Sequence, residues 1–469
     1  MPLPTDFSAE ISRILSPEEG ETLLRTLTES EAPTSIRLNA ARPEACPEWA
    51  ALPSVPWCRT GRYLPERPPF TFDPRLHAGA YYVQEASSMF VEQAVSQHLG
   101  SGPVVALDLC AAPGGKSTLL RSLLPEGSLL VANEIVRTRA QILAENLAKW
   151  GDPGVVVTSQ APADLAFLNQ QFDLILSDVP CSGEGMFRKD PASVAEWSLA
   201  NVEQCRLRQR TIVQDIWPCL KPGGLLIYST CTYNLQEDEE NVRWIADELG
   251  ADILPIEVDR AWGITGNLLP TGADFPVYRF LPHRTKGEGF FLALLRKGDD
   301  EPAGQRRPKS VKKGAGGKGK PLWNKEQEAT LRSWLRKSER FTLTPLGTQI
   351  CAVPTPHADL CRLLTERLHV LQAGVALAEP KGRDLVPCHA LSLSTALRPE
   401  AFPRVELSYE QAIAYLRREA ISFSSGEKKG YLVVTYQSLP LGFVKNLGSR
   451  ANNLYPAEWR IRSSRPFPQ

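Results

Sequence analysis

Two cysteines lie where apolar, strand-like runs of the sequence end. Cys181 stands in VPCSGEGMFRKD, directly after the run DLILSD that ends at Asp178, and Cys231 follows the run LLIYST. A lone cysteine in such a position is more often a buried apolar side chain than a reactive group. As a thiolate, however, cysteine can add to a substrate carbon. The residues around the two cysteines must therefore decide between these interpretations.

A loop of small residues follows another apolar run. The stretch LDLCAAPGGKS predicts a strand that ends at Asp108 and a helix that begins at about Lys116. Glycine and alanine let the backbone approach a nucleoside ligand closely. A phosphate-binding P-loop is disfavoured because Cys110 stands where that pattern requires its first glycine. A tight turn without a ligand is the alternative. The candidate cofactor loop is Cys110, Ala111, Ala112, Pro113, Gly114, Gly115 and Lys116.

Another acid ends the next strand-like run. Glu134 closes VANE, and an acid there commonly accepts hydrogen bonds from ribose hydroxyls in nucleotide-binding α/β folds. It could equally be an ordinary acid at the start of a helix. In open α/β sheets, ligands bind outside the carboxyl ends of the strands. Asp178, Cys181 and Cys231 are therefore expected to share one crevice with the small-residue loop.

One reaction class requires two cysteines and an acid beside a cofactor loop. C5 of cytosine is too weak a nucleophile to take a methyl group unaided. A thiolate that adds to C6 makes C5 able to attack the methyl sulfonium of S-adenosylmethionine. An acid or hydrogen-bond donor at N3 stabilises the adduct, and another group must then remove the C5 proton. From the residues alone, either Cys181 or Cys231 could be the nucleophile.

The elements that would position these residues alternate between strands and helices. Strands are predicted at 104–109, 128–134, 155–158, 173–178, 225–230 and 290–296, with helices at 137–150 and 202–220, the latter ending before a KPGG turn. This βαβ order predicts an α/β, doubly wound, Rossmann-like fold.

Composition shifts divide the chain into five predicted segments. Residues 299–323 are rich in Gly, Pro and Lys/Arg and are typical of a flexible basic linker. Before it we place a small N-terminal α/β appendage (1–75), with a helix at 16–29, and the α/β domain (76–298). After it we place an intermediate domain (324–400), opening with a helix at 324–340, and an α+β module (401–469) with a helix at 408–419.

Composition excludes several classes of protein. Of the 469 residues, 42% are hydrophobic and 23% are charged, which is typical of a globular protein and not of a disordered or fibrous one. The ten cysteines form no Cys-x-x-Cys pair, so neither a disulfide framework nor a zinc site is expected. No apolar run is long enough for a membrane span, and no signal peptide is predicted. We expect a cytoplasmic monomer that binds no metal.

The motifs resemble those of one enzyme family. DLCAAPGGKS, DVPCSGEGMFRKD and YSTCTYN are similar to the cofactor, Pro-Cys and Thr-Cys motifs of RNA cytosine-C5 methyltransferases of the Nol/Nop/Sun family. YYVQEASSM, YRFLPHRTKGEGFFLA and LPLGFVKNLGSRANNLYPAEWRIR extend the resemblance to its bacterial ribosomal RNA branch, the RsmF type, over nearly the whole chain. The resemblance implies a class I methyltransferase fold, S-adenosylmethionine as cofactor and a PUA-like RNA-binding module at the C-terminus.

The resemblance also implies roles for individual residues. Cys231 would attack C6, Cys181 would assist breakdown of the adduct, and Asp178 and Lys116 would contact the target base. The loop from Cys110 to Lys116, together with Glu134 and Asp178, would hold the cofactor. The chain departs from the family after its third strand, where Ala161 stands in place of an adenine-facing acid. Asp164, three residues later, is the candidate replacement.

The predicted partner is RNA, most specifically 16S rRNA near the decoding region. Because Lys+Arg and Asp+Glu both number 53, RNA binding requires local basic clusters. The candidates are Arg188, Lys189, Lys445, Arg450 and Arg460, each of which could instead be an ordinary solvated side chain. A tRNA or 23S rRNA target, or a non-catalytic RNA-binding scaffold, are the alternatives. A DNA methyltransferase is disfavoured because no target-recognition insert separates the motifs.

Overall fold

The computed structural model describes residues 2–270, 274–299, 322–423, 427–448 and 450–463. The N-terminal unit packs helices beside a small antiparallel sheet of order β2-β1-β3. The predicted helix at 16–29 is confirmed from Pro17 onward, with the Ser16 hydroxyl accepting from the Glu19 N–H. Its elements are α1 (Thr5–Ile14), α2 (Pro17–Glu29), β1 (Thr34–Leu38), α3 (Pro47–Ala50), β2 (Gly61–Leu64), α4 (Pro74–His77) and β3 (Tyr81–Val83).

The central domain confirms the predicted alternation of strands and helices. Its first half contains α5 (Val91–His98), β4 (Val105–Asp108), α6 (Gly115–Leu123), β5 (Leu129–Asn133), α7 (Arg137–Trp150), β6 (Val155–Thr158) and β7 (Phe172–Asp178). Its second half contains α8 (Pro191–Glu196), α9 (Leu199–Ile216), β8 (Leu220–Thr230), α10 (Glu239–Leu249), β9 (Ala251–Leu254), β10 (Tyr278–Phe280) and β11 (Phe290–Lys297).

The central sheet brings the carboxyl ends of its parallel strands together. Strands β8, β7, β4, β5 and β6 are neighbours in that order and run parallel, and β11 pairs antiparallel with β8. Side chains of these strands are buried on both faces, which explains their continuous apolar sequences. The predicted doubly wound α/β fold is confirmed.

The region around KPGG differs from its prediction. The helix ends at Ile216, and a short 3-10 turn at Trp217–Cys219 leads directly into β8. KPGG therefore lies inside β8, where the pairing with β7 shifts register between Phe172 and Leu174. The sequence KPGG favours a turn because it contains a proline and two glycines. Gly223 does adopt a positive φ of 70°, but the strand continues on both sides of it.

The C-terminal part contains two four-stranded sheets, of order β12-β13-β15-β16 and β17-β18-β19-β20, in the described residues. It contains α11 (Lys325–Ser333), β12 (Phe341–Leu346), β13 (Gln349–Pro354), α12 (Ala358–Arg367), β14 (Val370–Ala373), β15 (Val375–Lys381) and β16 (Asp384–Pro387). These are followed by α13 (His389–Leu393), β17 (Arg404–Glu406), α14 (Tyr409–Leu416), β18 (Gly430–Tyr436), β19 (Leu439–Asn446) and β20 (Ala451–Asn453).

Two predicted helices are shorter than the sequence suggested. The helix predicted at 324–340 ends at Ser333, because the chain then turns so that Leu335 can bridge to Leu397. The helix predicted at 408–419 spans Tyr409–Leu416, with Ser408 and Gln411 forming a capping box.

The segments pack against one another through particular strands and side chains. Strand β14, from the predicted intermediate domain, pairs antiparallel with β6 and so extends the central sheet. Tyr455 in the C-terminal module lies 3.3 Å from His77 of the N-terminal unit.

The predicted boundary after residue 75 falls before β3, which pairs with β1. Residues 300–321 of the predicted linker lie outside the described residues. No described helix is long and apolar enough to cross a membrane.

Candidate active site

A cavity of about 360 Å³ opens at the carboxyl ends of β4, β7 and β8. It brings together many of the residues that the sequence singled out. Asp178 lies at the end of β7, and Cys231 directly follows β8. The other predicted site residues on its wall are Cys110, Ala111, Ala112, Pro113, Gly115, Lys116 and Lys189.

The small-residue loop is fixed by backbone hydrogen bonds. The Ala111 N–H donates to the Asn133 carbonyl at 2.8 Å, and the Asn133 side chain donates to the Leu109 carbonyl at 3.1 Å. Gly114 ends the loop with a φ of 115°, a conformation that a residue with Cβ rarely adopts. Helix α6 begins at the next residue. The loop can therefore place its main chain against a ligand in the cavity.

Asp108 supplies an unsatisfied acceptor to the same cavity. The Ser117 hydroxyl donates to its Oδ2 at 2.6 Å, whereas Oδ1 is buried and has no hydrogen-bond partner among the described residues. Burial raises the pKa of Asp108 to about 7. A buried carboxylate oxygen of this kind fits a ligand that brings N–H or O–H donors. S-adenosylmethionine carries both, as an ammonium group and ribose hydroxyls.

The two cysteines contact each other at the edge of the cavity, with Cys231 on its wall and Cys181 behind it. Their Sγ atoms lie 3.1 Å apart, and the Cys231 N–H donates to the Cys181 sulfur at 3.4 Å. Both thiols are free. Cys231 lines the cavity, whereas Cys181 is not among its lining residues. The hydrogen bond with Cys231 and burial together raise the pKa of Cys181 well above its ordinary value. Cys181 therefore keeps its proton at neutral pH.

Lys116 and Asp178 form an ion pair beside the cysteines. The Lys116 ammonium lies 2.8 Å from Asp178 Oδ2, and the Ser229 hydroxyl donates to Oδ1 at 2.8 Å. Burial lowers the pKa of Lys116, but the charge of Asp178 and its hydrogen bond to the ammonium, together with smaller contributions from Cys231 and Asp108, outweigh burial and raise that pKa. The lysine ammonium also lies 5.2 Å from the centre of the Phe290 ring. The pair places a cation and an anion side by side on the cavity wall.

The other predicted cofactor residues lie off the cavity. Glu134 is 3% exposed, and its Oε1 accepts from the Val136 N–H at 2.9 Å, as an acid at the start of a helix would. Its Oε2 lies 3.6 Å from the Arg139 guanidinium. Asp164 is exposed, in the short 3-10 helix Pro162–Leu165 that follows Ala161. Their cofactor roles stay predictions.

The predicted RNA-binding residues are dispersed. The side chain of Arg188 is buried, with its guanidinium against Glu288 and the Gly287 carbonyl. The Lys189 ammonium lies 3.3 Å from Glu288 at the cavity. In the C-terminal module, Lys445 on β19 lies over the Tyr431 ring, and Arg450 and Arg460 are exposed. Only Lys189 is therefore placed beside the cysteine site.

Sequence reasoning missed several residues that build the site. Tyr82, Gln84 and Glu85, at the end of the N-terminal unit, line the cavity. Glu184 and Glu237 hold the backbone that follows Cys231 and Cys181, respectively. The segment YYVQEASSM carried a family resemblance but no chemical signature. A glutamate three or six residues after a cysteine gives no local signal of its partners.

Family models match most of the chain. Residues 102–296 match 16S rRNA methyltransferase RsmB/F, 402–461 match the methyltransferase RsmF PUA domain, and 3–86 match the N-terminal domain of 16S rRNA methyltransferase RsmF. The ribosomal RNA small subunit methyltransferase F of Cronobacter sakazakii is 30% identical, over 90% of this chain and 88% of its own. The chain belongs to this family. It is an RNA methyltransferase, as the sequence motifs predicted.

Other comparisons agree with this family. The methyltransferase F of an Escherichia coli strain is 29% identical over 87% of this chain and 85% of its own. NSun6 from Pyrococcus horikoshii, solved with SFG, has a TM-score of 0.53 and 21% identity, covering 63% of this chain and 98% of its own. A methyltransferase homolog from the same organism has a TM-score of 0.52 and 24% identity, covering 63% and 100%. These structures confirm the predicted methyltransferase fold, and the family match confirms the PUA domain.

Proposed function

We propose that this methyltransferase transfers a methyl group from S-adenosylmethionine to C5 of a cytosine in 16S rRNA, through a covalent bond between Cys231 and C6. The observation that carries the proposal is the pair of thiols 3.1 Å apart, with only Cys231 on the cavity wall. The relatives named as small-subunit rRNA methyltransferases support the substrate.

The chemical steps use groups that the cavity already brings together. The Cys231 thiolate adds to C6, and the electrons of the C5–C6 double bond move toward N3, where Asp178 and Lys116 contact the base. S-adenosylmethionine, when bound, supplies the electrophilic methyl group that C5 takes. Water takes the C5 proton, the electrons of the C5–H bond re-form the C5–C6 double bond, and the C6–S bond breaks so that the Cys231 sulfur leaves as a thiolate. Cys181, which keeps its proton, can donate it to that departing sulfur.

The cofactor is held by the loop from Cys110 to Lys116 and by Asp108. The unpartnered Oδ1 of Asp108 accepts a donor from the ligand, and the small residues leave the loop backbone accessible. Glu134 binds the ribose through Oε2, since Oε1 already accepts from the Val136 N–H. Asp164 contributes at most a solvent-exposed contact near the adenine.

The RNA is held by the PUA domain and the cavity rim. Lys189, Lys445, Arg450 and Arg460 contact phosphates, and a target base must be unpaired or flipped out to reach Cys231. Arg188, which is buried against Glu288, supports the rim instead of reaching the solvent. We place the target cytosine near the decoding region. We further propose a cytoplasmic monomer without a metal. Its domains are 1–75, 76–298, 324–400 and 401–469, with a linker at 299–323 and with the sheet of the first domain continuing into the second through β3.

Covalent trapping tests the mechanism. RNA containing 5-fluorocytosine should crosslink the wild-type protein, because the C5 fluorine cannot leave as a proton does. Cys231→Ala should give no crosslink and no methyl transfer, while still binding S-adenosylmethionine within a few-fold. Cys181→Ala should accumulate a crosslink to natural RNA because release stalls. Cys205→Ala, a buried cysteine on α9, is the matched control and should behave as wild type.

Bisulfite sequencing tests the substrate. A strain lacking the protein should lose 5-methylcytosine from 16S rRNA near the decoding region. Loss confined to tRNA or 23S rRNA would overturn the proposed substrate and leave the chemistry standing. Absence of any crosslink in the wild-type protein would instead favour the non-catalytic scaffold.

A further inference from the structure

The two cysteines stand on separate loops, which two buried glutamates tie together. We define the Pro-Cys loop as residues 179–187 and the Thr-Cys loop as residues 231–238. Glu184 belongs to the first loop, yet its carboxylate accepts from the second. The Tyr233 N–H donates to it at 2.6 Å, and the Asn234 N–H and side chain donate at 3.1 and 2.9 Å.

Glu237 makes the reciprocal connection. It belongs to the Thr-Cys loop, and its carboxylate accepts from the Ser182 N–H, with distances of 3.3 and 3.1 Å to its two oxygens. Ser182 directly follows Cys181 in the chain. The Gln209 side chain on α9 also donates to Glu237 at 2.6 Å. Each loop therefore supplies the carboxylate that holds the backbone beside the other loop's cysteine.

The two loops also touch directly through their backbones. The Gly185 N–H donates to the Cys231 carbonyl at 2.7 Å. A Cβ added at Gly185 would lie 2.9 Å from that carbonyl oxygen and 2.6 Å from the Gly289 carbonyl oxygen. One methyl group at Gly185 must therefore displace the Cys231 carbonyl of the Thr-Cys loop and the neighbouring Gly289 carbonyl.

Stability alone does not account for two glutamates at these positions. Glu184 is 1% exposed and Glu237 is fully buried, and the hydrogen-bond donors that reach their carboxylates are all neutral: N–H groups of backbone, Asn, Gln and Trp, and the Ser182 hydroxyl. Burying a carboxylate carries a desolvation penalty that neutral donors offset only in part, whereas fixing one geometry is a documented use of buried polar groups. Neither carboxylate lines the active-site cavity, so neither is placed to touch the base.

We propose that Glu184 and Glu237 are positioning residues that hold the Cys181 thiol against Cys231, and that this contact is required for release of the covalent RNA adduct. The claim that this contact is required for adduct release rests on the proposed function. The claim that the two glutamates position the thiols can be tested without RNA.

Thiol oxidation measures the positioning directly. Diamide takes two hydrogens from two thiols that can touch, and it forms a disulfide while being reduced to the hydrazine. Wild-type protein should form the Cys181–Cys231 disulfide readily, as detected by mass spectrometry of peptides. In Glu184→Gln and Glu237→Gln, one accepting oxygen becomes an amide N–H group. Because both oxygens of each carboxylate accept hydrogen bonds, this amide faces another donor whichever way it is turned. We expect disulfide formation to slow by about tenfold, because thiol proximity determines its rate.

Activity assays measure the consequence. In both variants kcat should fall by about 100-fold, the loss expected from a misplaced reacting group, with the Kd for S-adenosylmethionine unchanged. A crosslink to natural RNA should accumulate, as in Cys181→Ala. Glu203→Gln, an exposed glutamate on α9 that pairs with Arg206, is the matched control and should leave every readout unchanged.

Gly185→Ala separates positioning from folding. It leaves both carboxylates intact but crowds the Cys231 carbonyl, so it should reproduce the slow disulfide and the trapped adduct. Normal disulfide formation in folded Glu184→Gln, Glu237→Gln and Gly185→Ala would overturn the positioning role. Slow disulfide formation with normal adduct release would overturn the role in release. Loss of crosslinking to 5-fluorocytosine RNA in wild type would contradict the proposed function itself and leave the thiol measurement valid.

Discussion

The ammonium of Lys116 lies 2.8 Å from Asp178, and so links the first turn of α6 to the carboxyl end of β7 at the wall of the cysteine cavity. Ser229, at the end of β8, holds the other carboxylate oxygen. Three neighbouring elements of the central domain thus fix one carboxylate in place. Such a fixed, partly exposed ion pair can contact a pyrimidine edge without first reorganising.

Replacing Asp178 with Asn should lower the rate of methyl transfer by about 10²- to 10⁴-fold, the range typical of a group that assists proton movement. The substitution keeps the shape but removes the charge that Lys116 faces. Single-turnover transfer of a radiolabelled methyl group measures the chemical step. Asp359→Asn, which removes a charge from an exposed ion pair with Arg362, is the control and should have no effect. A normal single-turnover rate in Asp178→Asn would remove Asp178 from the mechanism.

Much of this site could be predicted because it depends on local sequence. Small residues after a strand predict a ligand loop, and strands of one parallel sheet end at one edge, so Asp178, Cys181 and Cys231 were expected together. Helix α7 was predicted with its observed bounds because Arg137–Trp150 has helical periodicity and a glycine follows it. These features need no knowledge of distant residues.

The remaining features depend on contacts between distant parts of the chain. Strand β14 extends the central sheet although Val370 lies more than two hundred residues beyond its partner β6. Arg279 is buried against Asp238 and Glu239, where its isolated sequence would suggest a surface residue. Glu184 meets Tyr233 for the same reason. No periodicity or motif encodes such pairings, so the sequence alone left them undetermined.

Affinity for S-adenosylmethionine should depend on the protonation of Asp108. Burial raises the pKa of Asp108 to about 7, so this acid is mostly protonated at pH 6 and mostly ionised at pH 8. A ligand ammonium or hydroxyl prefers the ionised carboxylate. Affinity should therefore rise between pH 6 and pH 8, by at most about tenfold per pH unit, and level off above.

Calorimetry in buffers of different ionisation enthalpy checks this prediction, because binding at pH 6 should release a proton from Asp108. Asp108→Asn should bind more weakly and show a flat pH dependence over the same range. An equally steep pH dependence in Asp108→Asn would assign the titration to another group.

Replacing Glu134 with Ala should weaken cofactor binding by about 1–3 kcal/mol, the range for removing a hydrogen-bond partner from a buried site. Glu134→Gln keeps an oxygen for the Val136 N–H and should lose less, which separates ribose binding from support of α7. Asp164→Ala is the comparison variant, and its exposed side chain should contribute less than Glu134. Unchanged calorimetric affinity in Glu134→Ala would reduce Glu134 to an acid at the start of a helix.

RNA binding by the C-terminal module is best tested with point substitutions. Deleting residues 407–469 would uncover apolar surfaces, because Val433 and Phe443 share a core with Trp334, and Leu407 and Tyr455 share one with Ala78. A loss of RNA affinity after deletion could therefore come either from lost RNA contacts or from damage to these cores. Lys445, Arg450 and Arg460 instead lie partly or fully exposed, so their substitution by Ala should leave these cores intact.

The combined Lys445→Ala, Arg450→Ala and Arg460→Ala variant should bind a 16S rRNA fragment more weakly and with a smaller dependence on salt. Each cation that no longer neutralises a phosphate lowers the slope of log affinity against log salt by about 0.7–0.9, since fewer counterions are released on binding. Fluorescence anisotropy across a salt series measures the slope, and calorimetry should show unchanged affinity for S-adenosylmethionine. Lys325→Ala, an exposed lysine on α11, is the control and should keep the wild-type slope. A wild-type slope in the triple variant would mean that these three side chains are solvated and that other residues bind the RNA phosphates.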